Sequence, residues 1–389
     1  MIFVPFVAKK NNNSQLSTFN SQLFMTNLLE SIFALGEEYG ASDIHISVGF
    51  SPRFRIRGAL VEKGGFEPFD SKAVDAIATE LGLATLPVGS PDGTEKVRII
   101  LMKEGSLDGA VTNSSRARYR FNIYRESGRH AIALRRLDAE FRTFAQLGLP
   151  RRLEDFCGER DGLVIVTGPT GSGKSTTLAT LLDCINRTRP GHIITIEDPI
   201  EYIHHSQRCL VNQRQVGRDT KSFSAALVEA MRQDPDIILV GESRDLATVR
   251  TALRAAETGH LVFTTLHAGD APGAVERLVA MFPPEEQSSA RHELALVLRG
   301  VFAQHLLPDP QGDTRHPAYE LLVNTTAAAN LIATGRTAQL YSVIETGANV
   351  GMCTLDQSLA SLVQNGLVDE RAALALSRNP TMLQRRLHP

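Results

Sequence analysis

The residues Gly168-Pro169-Thr170-Gly171-Ser172-Gly173-Lys174-Ser175 hold the most specific chemistry in the sequence. Their glycine, lysine and serine spacing is that of a phosphate-binding loop. Glycines let successive backbone N–H groups converge on phosphate oxygens, and the helix that begins near Thr176 adds its positive end. Lys174 suits the β- and γ-phosphates, and the Ser175 hydroxyl suits Mg²⁺. ATP with Mg²⁺ is the expected ligand. Hydrolysis also needs acids, and two candidates follow apolar runs: Glu197-Asp198 after Ile193 to Ile196, and Glu242 after Ile237 to Val240. The usual pattern ends the second run in aspartate, whereas this one closes with Gly241-Glu242. Glu242 is therefore expected to orient or deprotonate the attacking water, with Glu197 at the metal and water beside it. A lone acid at a strand end more often caps a helix, and it is the phosphate loop that reverses that reading. His260 and His267 bracket the run Leu261 to Leu266. His267 falls on the phosphate side, where a γ-phosphate sensor would sit, while His260 is equally open to a structural role.

These side chains need a scaffold that brings strand ends together. Leu163 to Thr167, Ile193 to Ile196, Ile237 to Val240 and Leu261 to Thr265 are continuous apolar runs, separated by helical stretches such as Thr176 to Ile185. Runs of this kind predict an α/β fold, with a parallel sheet covered by helices and ligands at the carboxyl ends of its strands. After residue 285 the apolar spacing of Leu294, Val297, Leu298, Val301 and Phe302 reads as helical. The chain before Phe141 differs. Leu28, Leu29, Ile32 and Phe33 recur at helical spacing, and Asp43 to Val48, Arg53 to Arg57 and Arg118 to Ile123 alternate as half-buried strands do. Residues 87 to 117 read as loops around a short strand, Val97 to Met102. Gly148-Leu149-Pro150 reads as a connection between a smaller domain over 27–145 and a larger one over 151–389. Residues 1 to 26 read as a disordered, dispensable tail, with Met25 an alternative start.

Composition narrows the classes. Lys+Arg 41 against Asp+Glu 43 gives a net charge of −2, so no sequence-wide basic field recruits nucleic acid or anionic lipid. Arg53, Arg55 and Arg57 read as the wet side of a strand, because aromatic residues amount to 6% with no Trp to build a stacking ladder. Cys157, Cys184, Cys209 and Cys353 stand far apart and suggest neither a zinc site nor a disulfide framework, which fits a reducing compartment. No apolar run approaches the ~18 residues of a spanning helix, so any membrane contact is expected to be peripheral.

Gly168 to Ser175, Ile196 to Tyr202, Ile238 to Asp245 and Thr258 to His267 resemble, in order, the Walker A, Asp, Walker B and His boxes of secretion-superfamily ATPases. Within that superfamily the chain most resembles the PilT-type retraction ATPases of bacterial type IV pili. Gly40-Ala41-Ser42-Asp43-Ile44-His45 and Gly351-Met352-Cys353-Thr354-Leu355-Asp356-Gln357 match that subfamily too, so the resemblance runs over residues 27 to 375. It implies a PAS-like N-terminal domain and a RecA-like motor domain. It also implies a homohexamer, cytoplasmic and peripheral at the bacterial inner membrane, that works on pilus subunits through a membrane platform protein. Arginines of the N-terminal domain act near the phosphates in such rings. Arg118, Arg120, Arg125, Arg129 and Arg135 occupy the matching stretch, with Arg120 and Arg135 best aligned. A structural salt bridge is the competing reading for each of them.

One departure stands out. The Ala-Ile-Arg-Asn-Leu-Ile-Arg-Glu box usual in these relatives reads here Ala327-Ala328-Ala329-Asn330-Leu331-Ile332-Ala333-Thr334, with the apolar spine kept and the charges gone. An assembly or secretion ATPase is the nearest rival, and the missing tetracysteine zinc insertion counts against it. A nucleic-acid motor and a nucleotide switch without turnover are rivals of other classes; balanced charge opposes the first, and the intact Glu197 and Glu242 oppose the second.

Overall fold

A computed structural model describes residues 28–56, 58–86, 89–137, 141–312 and 314–388; the expected tail over 1–26, Met25 and Arg57 lie outside them. The chain divides into two compact units between residues 139 and 140.

The first unit holds helices α1 (28–38), α2 (Ser71–Leu83) and α3 (Gly93–Glu104). Its strands are β1 (Asp43–Ser47), β2 (Arg53–Ile56), β3 (Ala59–Glu62), β4 (Ser106–Thr112), β5 (Arg118–Glu126) and β6 (Arg129–Leu137), in one antiparallel sheet ordered β3-β2-β1-β6-β5-β4. Alternation sends Ile44, Ile46, Phe54, Tyr119, Phe121, Ile123, Ile132 and Leu134 to one face, where they share a core with Leu29, Ile32 and Phe33 of α1 and Val74, Ile77 and Leu81 of α2. Phe33 stacks on Tyr119 with ring centroids 4.4 Å apart. The strand expected at Val97 to Met102 is instead the body of α3. Val97 and Leu101, four residues apart, are its buried contacts, and Gly105 at φ 74 ends it. The run of apolar residues resembles a strand only because Ile99 and Met102 are apolar and exposed.

In the second unit the strands β7 (Gly162–Thr167), β8 (Gly191–Glu197), β9 (Cys209–Gln215), β10 (Ile237–Val240), β11 (Leu261–Leu266), β12 (Leu298–Pro308) and β13 (Arg315–Val323) form a sheet ordered β13-β12-β7-β11-β10-β8-β9. All pairings are parallel except that of β13 with β12. Every residue of β7, β10 and β11 is buried, as continuous apolar runs require. Helices α4 (Arg151–Asp155), α5 (Lys174–Thr188), α6 (Phe223–Ala230), α7 (Leu246–Glu257), α8 (Ala271–Ala280) and α9 (Gln287–Val297) lie between the strands in sequence. Beyond β13 come α10 (Thr326–Ala333), α11 (Leu340–Thr346), α12 (Leu355–Gln364), α13 (Glu370–Leu376) and α14 (Pro380–Leu387).

The helical reading after residue 285 holds only to Val297. Leu298 turns extended at ψ 133, and Val301 and Phe302 are buried in β12. The connection expected at Gly148-Leu149-Pro150 lies within the second unit, because Phe144 and Leu149 enter its core. A small C-terminal core gathers Leu307, Ala318, Leu355, Leu359 and Leu383. There the buried Asp356 accepts hydrogen bonds from Ser377 Oγ (2.8 Å) and the backbone N–H groups of Arg378 (3.0 Å) and Asn379 (3.1 Å).

Candidate active site

Register brings the chemistry to one sheet edge. Thr167 of β7 lies opposite Leu266 of β11, and Val240 of β10 lies opposite both Thr264 of β11 and Ile196 of β8. The residues that follow those ends are Gly168, His267 and Glu242, while Glu197 closes β8 itself.

Gly168 to Ser175 joins β7 to α5. Gly168 adopts φ +144, and a side chain there would collide with the Gln304 backbone oxygen and with Ser172 Oγ. Gly173, which precedes α5, has φ +88, and an added Cβ would lie 2.9 Å from Gln304 Nε2. Glycine is required at both places by backbone conformation and by close approach together. Lys174 Nζ donates to the carbonyl oxygens of Gly168 (2.8 Å) and Pro169 (3.0 Å), so the ammonium lies inside the arch of the loop. Burial lowers its pKa, against which the carboxylates of Glu242 and Glu201 pull. Pro169, Thr170, Gly171 and Ser175 are exposed along the loop. Ser172 Oγ is buried and has no hydrogen-bond partner among the described residues. An orphaned hydroxyl, backbone cradles open only to glycine and an ammonium turned inward fit a phosphate chain.

Two helix residues brace the loop. Thr176 Oγ1 lies 2.9 Å from Tyr202 Oη, and Thr177 Oγ1 donates to Gln304 Oε1 at 2.6 Å. The buried Gln304 of β12 thus touches the P-loop region through both its backbone and its side chain, a role the sequence reading missed.

Glu197 Oε1 accepts from Thr195 Oγ1 (2.6 Å) and Gln213 Nε2 (3.1 Å). Burial pushes its carboxyl above the usual range, with those two donors pulling the other way. Glu242 is held from two sides, by Arg244 Nη2 at 2.6 Å from Oε2 and by His267 Nε2 at 3.2 Å from Oε1. Burial works to raise its pKa, but the Arg244 hydrogen bond and the charges of Arg244, His267 and Lys174 leave it below the ordinary carboxylate value. The two carboxyls thus lie in environments that act on their charge in opposite directions.

The loop after His267 is fixed at several points. Arg277 Nη1 donates to the His267 carbonyl at 2.9 Å, Ala268 N donates to Thr167 Oγ1 at 2.8 Å, and Ala271 N donates to the buried Glu320 at 2.9 Å. His260 sits at the other end of β11. Its Nδ1 lies 2.9 Å from the Ala255 carbonyl at the end of α7, which makes it a cap on that helix. Arg120 and Arg135 belong to the first unit, directly opposite each other on β5 and β6, and Arg135 Nε donates to Asp43 Oδ1 at 2.8 Å. The structure therefore gathers Arg244 and His267 on the Glu242 carboxylate, with the charge of Lys174 acting on it, and sets Arg120 and Arg135 beside each other on a separate sheet. Arg244 and Gln304 escaped the sequence reading because their partners are distant or ordinary in type. Only Arg244's place two residues after Glu242 hinted at a role.

The family described as type II/IV secretion system protein matches residues 110–366. The chain is 41% identical to the type IV pilus retraction ATPase PilT of Pseudomonas aeruginosa, over 90% of this chain and 98% of that protein. To a twitching motility protein of Neisseria gonorrhoeae it is 44% identical, over 68% of this chain and 70% of that one. A crystal structure of the pilus retraction motor PilT with bound ADP superposes with a TM-score of 0.82 at 42% identity, covering 92% of this chain and 98% of that one.

Proposed function

The chain belongs to the type II/IV secretion system protein family, and we propose that it is an ATP-hydrolysing motor of type IV pilus retraction. The observation that carries this reading is the convergence of Lys174, Glu242 and His267 where adjacent parallel strands end, with Glu242 held by Arg244 on one oxygen and His267 on the other. Lys174 gives up the Gly168 and Pro169 carbonyls for phosphate oxygens as ATP enters. Gly168 to Ser175, apart from Pro169, which has no N–H, supply donors, and Thr176 continues the cradle into α5. Ser175 and Glu197 would hold Mg²⁺, whose bound charge offsets that building on the phosphates. Glu242 orients and deprotonates the attacking water, and His267, on its second carboxylate oxygen, reports the state of the γ-phosphate to the fixed loop behind it. Arg120 and Arg135 complete the positive field in a homohexameric ring that sits on the cytoplasmic side of a bacterial inner membrane and meets a platform protein. Among the described residues no helix is long and apolar enough to cross a membrane.

The surface offered by α10 differs from the usual one. Ala328 and Ile332 are buried, while Thr326, Ala327, Asn330 and Thr334 are exposed and uncharged. Arg336 folds back over this face, donating to Asn330 Oδ1 and Thr334 Oγ1, each at 3.0 Å. One positive charge therefore returns from outside the helix, although the charges within it are gone. The function is tested by expressing the chain in cells that lack their own retraction ATPase and scoring twitching. Partial rescue is expected from a motor with normal hydrolysis and an altered partner surface. No rescue alongside normal hydrolysis would contradict retraction, and full rescue would remove any role for the altered helix.

A further inference from the structure

We propose that Arg244 is a positioning residue for hydrolysis, which fixes the Glu242 carboxylate in its working orientation together with His267. The inference rests on Glu242 being the water-activating acid. Arg244 and His267 reach different oxygens of that carboxylate, at 2.6 Å and 3.2 Å, so the group is held across both ends and cannot spin about its last bond. The two holders come from different elements. Arg244 lies in the loop after β10, and His267 follows β11, whose end is tied to that loop by Thr265 Oγ1 donating to the Gly241 carbonyl (2.6 Å) and by Ser243 Oγ against Thr264 Oγ1 (2.8 Å). A carboxylate braced this way presents one fixed lone-pair direction to water, and a misplacement of the order of 1 Å at a reacting group can cost about 10²-fold in rate.

Arg244 is no structural necessity. Its side chain is 74% exposed and reaches the recessed Glu242 carboxylate from the open side of the site, where a guanidinium adds little to folding. What the guanidinium does there is geometric, and the negative charge of Asp198 also acts on it.

The test is a double-mutant cycle on the full chain, with ATP turnover, nucleotide affinity and melting temperature read for wild type, Arg244→Gln, Glu242→Gln and the double variant. Arg244→Gln should lower turnover about 10- to 100-fold with unchanged ATP affinity and melting temperature. In the Glu242→Gln background the same change should alter the residual rate by less than about twofold, because its target is already gone. Arg244→Lys should recover part of the loss, since an ammonium keeps the charge but not the planar fork. Equal losses in both backgrounds, or no loss in wild type, would overturn the assignment of Arg244. Wild-type turnover in Glu242→Gln alone would instead overturn the role of Glu242.

Discussion

Glu242 and Glu197 show how environment divides labour between residues of one type. Each carboxyl is recessed, yet Glu242 gains Arg244, His267 and Lys174, while Glu197 gains the neutral donors Thr195, Gln213 and the Glu201 backbone and faces the negative charge of Glu201. Position relative to the strand ends, which is legible in the sequence, marks both acids; the sign of each pKa shift depends on partners folded in from elsewhere. The histidines divide in the same way. His260→Ala removes a helix-capping contact and should lower stability by about 1 kcal/mol with turnover unchanged. His267→Ala should cut turnover while the melting temperature stays near that of wild type. Thermal melts paired with phosphate release at saturating ATP distinguish the two, and a turnover defect confined to His260→Ala would reverse the assignment. The phosphate loop could be read residue by residue because its chemistry is local. Gln304 could not, since a glutamine in an apolar strand declares nothing until the fold sets it under Gly168 and Gly173.

At the scale of elements, β7, β10 and β11 are legible because each is buried on both faces and apolar except for the threonines Thr167, Thr264 and Thr265. The misread segments failed for a shared reason: exposed apolar residues, Ile99 and Met102 in α3, and a helix running straight into a strand at Leu298 both hide the true period. In α10 the apolar spine packs as its spacing suggests. Ile332→Ala should therefore cost about 2–5 kcal/mol, seen as a lower melting temperature, because that side chain is fully buried. Restoring charge to the same helix with Thr334→Glu should leave stability and hydrolysis unchanged, and a large stability loss would show the face to be packed. Glu320 anchors the start of α8. Burial raises its pKa and Asp270 adds to this, against the Ala271 N–H and Arg378. A raised carboxyl pKa means that the folded state binds the proton more tightly, so stability is fullest below the unfolded pKa and falls as pH rises through the folded one. Glu320→Gln keeps an acceptor for Ala271 and removes the charge. It should melt above wild type near pH 8, with the difference closing toward about pH 4, where glutamate protonates even when unfolded. A variant that melts below wild type near pH 8 would contradict that account.

In the proposed ring-forming motor, the Glu242 carboxylate lies in one unit, and Arg120 and Arg135 lie in the other. Arg120 and Arg135 face each other across β5 and β6, and Asp43 offsets the charge at Arg135. Assembly makes a simple demand: specific ATPase activity should rise with protein concentration as subunits associate. Constant specific activity from a persistently monomeric protein would contradict the ring. The account rests most heavily on turnover itself, and steady-state phosphate release by the purified chain and two variants measures it most directly. Wild type should hydrolyse ATP. Lys174→Ala should lose tight nucleotide binding, and Glu242→Gln should bind ATP as wild type does while turning over at least about 10²-fold more slowly. Turnover at the wild-type rate in Glu242→Gln, or no phosphate release from a wild-type protein that binds ATP, would contradict the central claim.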